Sequence, residues 1–121
     1  MKQGETMPKD TAQRAEEYLR EEMRKLDLLN SQCFSVKRAF EKSMLLTAFV
    51  WLKTGHINSI CDAIKAVDIF RLKAATYKTQ AEIEKKRGDS SGWGREYAER
   101  EQLYKWMADG LMDAVRKEES V

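Results

Sequence analysis

Residues 60–87, ICDAIKAVDIFRLKAATYKTQAEIEKKR, hold no glycine or proline, and their reading decides the fold. Ile60, Ile64, Val67, Ala74 and Ala81 step at helical spacing, and Cys61, Ile69, Leu72, Ala75 and Ile83 widen the apolar surface. Lys85, Lys86 and Arg87 place positive charge where the dipole of a helix favours it, at the C-terminal end. Asn58 or Ser59 supplies an N-cap. The stretch predicts one helix about 42 Å long at 1.5 Å per residue. A compact chain of this size has a radius of gyration of only about 14 Å. A helix so long projects, and its apolar stripe calls for a covering surface.

Working outward, the segment before it predicts a helix from Val36 to Thr54, capped by Ser35 and stopped by Gly55. From Met44 to Leu52 that helix is apolar on nearly every side, the pattern of an element surrounded by protein. It is expected to be central, with Phe40, Leu45, Phe49, Val50, Trp51 and Leu52 dominating burial. A first helix is expected from Asp10 or Thr11 to Leu29, with Ala12, Ala15, Leu19, Met23, Leu26 and Leu29 on one stripe. Residues 1–9 read as a flexible N-terminus and Asn30 to Cys33 as a turn. Beyond the long helix, the Gly- and Ser-rich run of residues 88–94 reads as a loop with Trp93 in it. A fourth helix is expected over Arg95 to Glu118, with Gly110 inside it at a cost of about 1 kcal/mol relative to alanine. The fold class is therefore all-α: a four-helix, bundle-like single domain over residues 10–119.

Composition sets the function classes. The chain has 121 residues, 42% hydrophobic and 35% charged. A chain of this length buries roughly two thirds of its unfolded surface. The net charge is only +2, but it is unevenly spread. Residues 1–34 hold six basic and seven acidic residues, residues 35–87 eleven and five, and residues 88–121 five and eight. A basic middle between acidic ends suits pairing within the chain, or an anionic partner. The longest apolar run, Met44 to Leu52, is half the length of a membrane span. No secretory leader opens the sequence and Cys33 and Cys61 are the only cysteines, so a cytoplasmic protein with reduced thiols is expected.

The residues argue against catalysis. His56 is the single histidine, set between two predicted helices, and with two cysteines it falls short of the four ligands of a structural zinc site. Lys53 stands where a carboxylate-bundle metal motif would need its glutamate. The glycines of residues 88–94 lack the phosphate-loop lysine and the dinucleotide spacing. No enzyme activity, cofactor, metal, membrane or small-molecule substrate is expected. A protein-interaction module is expected instead: an adaptor, regulator or inhibitor acting by surface occupation, with self-association or another protein as partner. The candidate contacts are Tyr77, Trp93, Tyr97, Tyr104 and Trp106, because large aromatics on sparsely apolar helices are the common interface anchors.

The stretch Thr54-Gly55-His56-Ile57-Asn58-Ser59-Ile60-Cys61 resembles the start of the helix-turn-helix of phage small terminase subunits and related regulators. That pattern continues with an Ala-rich helix, a Gly-Val turn and a recognition helix. Here Lys65-Ala66-Val67-Asp68 occupies the place of the turn glycine. The resemblance implies, as the alternative function, a nucleic-acid-binding protein using residues 54–80, with Arg71, Lys73 and Lys78 facing the groove. Lys85 joins Arg71 and Lys78 at seven-residue spacing on one helix face, the clustering that phosphate contacts need.

Overall fold

The computed structural model describes residues 3–88 and 92–120, with side chains from residue 11 onward. It is all-α: α1 spans Gln3–Gln32, α2 Val36–Thr54, α3 Ile60–Lys86 and α4 Trp93–Glu119. Local chemistry places the central boundaries where the sequence puts them. The Ser35 hydroxyl accepts from the Arg38 N–H at 3.3 Å, and the Ser59 hydroxyl from the Asp62 N–H at 3.2 Å. Gly55 closes α2 at φ 78°, donating its N–H to the Trp51 carbonyl at 2.8 Å. An L-side chain disfavours that backbone region and glycine does not.

The other boundaries differ from expectation. α1 begins at Gln3 rather than near Asp10, and it runs on past Leu29 to Gln32. Asn30 does not break it, because its side-chain oxygen is turned to the next helix, accepting from the Ser35 N–H and from Arg38 Nε, each at 3.0 Å. α4 begins at Trp93, with Gly92 as its cap at φ 81°, so Trp93 is helical and only part of the expected loop remains. Asp89, Ser90 and Ser91 lie outside the described residues.

α3 and α4 form the tightest pair. Ala63, Ala66 and Ala74 of α3 are all buried, small side chains of the kind that lets helix backbones approach closely. Val67 and Phe70 fill the same face against Leu103, Tyr104, Met107, Ala108 and Leu111. α2 adds Met44, Leu45 and Ala48 to this core, and α1 adds Ala15 and Leu19. The expectation that α2 is the central element is thereby corrected. Phe49, Val50, Trp51 and Leu52 are only half-buried, and Phe40 and Leu46 are exposed. Being apolar on every side does not bring a helix neighbours on every side, and the alanine line of α3 decides which pair sits closest. Among the described residues, no helix is long and apolar enough to cross a membrane.

Candidate interaction surface

The aromatic residues singled out in the sequence come together, but mostly inward. Trp93 stacks on Tyr97 at 5.8 Å between ring centroids, Tyr97 on Tyr77 at 5.9 Å, and Tyr77 on Tyr104 at 6.0 Å. Phe70 and Tyr18 complete the inner end against Tyr104, at 5.2 and 5.6 Å. Arg100 lies over the Tyr77 ring at 5.6 Å. This ladder ties the far end of the α3–α4 hairpin to the core. Tyr104 is 1% exposed and belongs to that core, which corrects its assignment as a contact residue. Tyr77 and Tyr97 are half-buried within the ladder, and Trp106 is half-buried against Trp51 at 5.6 Å. Trp93, 51% exposed at the outer end, is the open member of the set.

The Tyr18 and Tyr104 hydroxyls share a hydrogen bond at 3.0 Å. Burial pushes both above the ordinary tyrosine range, and the Tyr104 phenol adds to the shift at Tyr18. The folded chain therefore keeps both protons where the unfolded chain, with tyrosine pKa of about 10, gives them up. Their stabilising contribution is complete below about pH 10. It falls as pH rises further, by about 1.4 kcal/mol per pH unit for each tyrosine. Urea midpoints measured from pH 9 upward should drop more steeply for the native chain than for a Tyr18→Phe/Tyr104→Phe variant. Parallel curves would show that the two protons are not held by the fold.

The basic residues are dispersed. Arg71 faces Asp109 of α4 at 4.0 Å, and Lys73 pairs with Glu41 of α2 at 2.8 Å. Lys73 thus joins α3 to α2 and does not share the outward face of Arg71, Lys78 and Lys85. Arg71 and Lys78 border a shallow hollow of about 190 Å³ together with Lys105 and Glu101, three basic groups and one carboxylate. α3 starts at Ile60 and continues unbroken through Lys65-Ala66-Val67-Asp68, so no turn and no second helix start follow it before residue 80. Part of the uneven charge is settled within the chain. Lys42 meets Asp27 at 2.6 Å, Lys53 meets Glu16 at 3.5 Å, and Arg71 meets Asp109, pairing the basic middle with both ends. These pairs are exposed and each is worth about 0–1 kcal/mol.

The feature that sequence reasoning missed is apolar. Where α1 hands over to α2, Leu28, Leu29, Phe34, Val36 and Phe40 are all exposed, Phe34 at 68% and Val36 at 76%. On α3, Leu72 is 68% exposed. Leu72 and Phe40 directly precede Lys73 and Glu41, which bridge α3 to α2 at 2.8 Å. Spacing holds a signal for this face. Val36, Phe40, Ser43 and Thr47 run down the side of α2 away from Leu45, and Leu72 stands opposite the Ala63–Ala66–Phe70 line of α3. These exposed apolar side chains form the candidate interaction surface.

No protein family model, curated protein or solved structure matches the chain.

Proposed function

We propose that the chain is a non-enzymatic protein-interaction module, an adaptor, regulator or inhibitor that works in the cytoplasm by occupying a surface of another chain. Its docking face is the α1–α2 corner with Leu72. One observation carries this reading: Phe34, Val36 and Leu72 each leave two thirds or more of their surface open. Fully burying an aliphatic or aromatic side chain contributes about 1.5–3 kcal/mol, and the isolated chain leaves most of that unrealised at these three positions. A partner that covers them recovers it. Trp93, at the N-terminal end of α4, is a second, smaller anchor.

The test is a capture from native lysate with the full chain and with a Phe34→Ser/Val36→Ser/Leu72→Gln variant, read by mass spectrometry. The variant should melt within a few degrees of the native chain, because none of the three side chains is buried. It should lose roughly ten-fold or more of the captured protein. Equal capture by both chains would remove the corner as a docking face. A gel-shift titration serves as the counter-test. We expect no shifted band at low salt, whereas a band whose affinity falls steeply with salt would favour the nucleic-acid alternative.

A further inference from the structure

We propose that the groove between α1 and α4 binds an elongated amphiphilic carboxylate, a medium-chain acyl anion, as a ligand. This site is separate from the docking corner and does not rest on it. α1 packs mainly on α2 and meets α4 sparsely. Between α1 and α4 lies a cavity of about 470 Å³, within the range of about 300–1,000 Å³ for small-molecule sites. Its apolar side is Ala98, Leu103 and Trp106 of α4, with the Trp106 indole backed by Trp51 at 5.6 Å. Its charged groups are Arg14 of α1 and Arg95 and Glu99 of α4. Arg14 engages Glu99 at 2.9 Å. Arg95 is exposed and makes no ion pair among the described residues. Two guanidinium groups therefore face one carboxylate, and the surplus is the open fork of Arg95.

Shape and charge together select the ligand. Arg95 and Trp106 both line the cavity and stand on one helix, so it extends about 16 Å along α4. A compact anion such as phosphate meets Arg95 and leaves the apolar side bare, whereas a linear chain covers both. The carboxylate accepts from the Arg95 guanidinium in the first turn of α4, where the helix dipole adds to the attraction. The hydrocarbon runs past Ala98 and Leu103 to the Trp106 ring. Past the Arg14–Glu99 pair the groove continues into a second hollow, lined by Glu17, Glu21, Glu22 and Glu96 among others. Those carboxylates oppose an anion there, which confines the head group to Arg95. A cationic amphiphile would set its own charge against Arg14 and Arg95.

The experiment titrates the isotope-labelled full chain with decanoate, decanol and decyltrimethylammonium below their micellar concentrations, following amide and indole N–H shifts. Decanoate should move Arg95, Ala98, Gln102 and the Trp106 indole, with a Kd on the order of 0.1–1 mM. It should bind roughly three- to ten-fold more tightly than decanol. Arg95→Gln should erase most of that preference and leave decanol binding as it was. Ala98→Phe should block both ligands by filling the groove. Both substitutions are at exposed positions, and circular dichroism checks that the helical content is kept. If Ala98→Phe unfolds the chain, Arg95→Gln still decides. No shifts at millimolar decanoate would overturn the proposal, as would equal affinity for decanoate and decanol or a preference untouched by Arg95→Gln. Tighter binding of decyltrimethylammonium would reverse the charge of the ligand. Shifts centred on residues 28–40 and Leu72 would move the amphiphile to the docking corner and remove the groove as its site.

Discussion

Replacing Tyr104 with alanine is expected to lower the free energy of unfolding by about 3–5 kcal/mol, the range for emptying an aromatic site in a packed interior. The ring is 1% exposed and is met by Phe70 at 5.2 Å, Tyr18 at 5.6 Å and Tyr77 at 6.0 Å. It links α1, α3 and α4, so its removal leaves a cavity that no single helix can close by shifting. It also strips the Tyr18 hydroxyl of its partner, 3.0 Å away. Tyr104→Phe separates the two contributions. It keeps the ring and forfeits the hydrogen bond, for about 0.5–1.5 kcal/mol. Against a total stability of about 5–15 kcal/mol, that loss is about a fifth of the total or more. Urea denaturation with an unchanged m-value is the measurement. A loss below about 1 kcal/mol for Tyr104→Ala would mean that the ladder does not hold the helices together.

Gly110→Ala should also destabilise, although helix propensity alone points the other way by about 1 kcal/mol. A Cβ at position 110 would fall 2.3 Å from both Cη2 and Cζ2 of Trp51, closer than carbon atoms approach. The Trp51 indole leans on Trp106 at 5.6 Å, so it cannot swing away without breaking that contact. Overpacking of this kind costs about 1–3 kcal/mol, and we expect a net loss in that range. A double-mutant cycle isolates the cause. In a Trp51→Ala background the same Gly110→Ala change should turn neutral or stabilising, because the obstacle is gone and the propensity gain remains. A Gly110→Ala chain that is more stable than the native one would show that α2 does not press on α4 at this point.

Gly110 marks the line between what was legible in the sequence and what was not. A glycine inside a helical pattern announces a close approach without saying what approaches; the structure supplies Trp51. Ser35, Gly55 and Ser59 act within a turn of their own position, so their capping roles were readable one residue at a time. The unbroken course of α3 was readable for the same reason. Burial is a property of pairs of elements, and there the reading went astray. Bulk and apolarity over Met44–Leu52 pointed to α2 as the centre, whereas closeness is set by small residues, and Ala63, Ala66 and Ala74 are on α3.

The candidate site divides along the same line. Aromatic content picked out Tyr77, Tyr97, Tyr104 and Trp106, but Tyr77 packs on Tyr97 and Tyr104 between α3 and α4, and Trp106 packs on Trp51 of α2. Only Trp93 stays half open. The open corner was hidden because Leu28, Leu29 and Phe40 look like core in any single-helix pattern. Their exposure appears only once α1 and α2 are turned so that Leu19, Leu45 and Ala48 face inward.

The central claim is that the α1–α2 corner and Leu72 form the face another protein covers. Backbone amide shift mapping of the isotope-labelled chain, titrated with the protein it captures from lysate, addresses this claim directly. The account predicts the largest shifts at residues 28–40 and around Leu72, with the Tyr104 and Leu111 region of α4 unmoved. Shifts confined to Trp93 and the α3–α4 hairpin end, or to Arg71, Lys78 and Lys85, would contradict it.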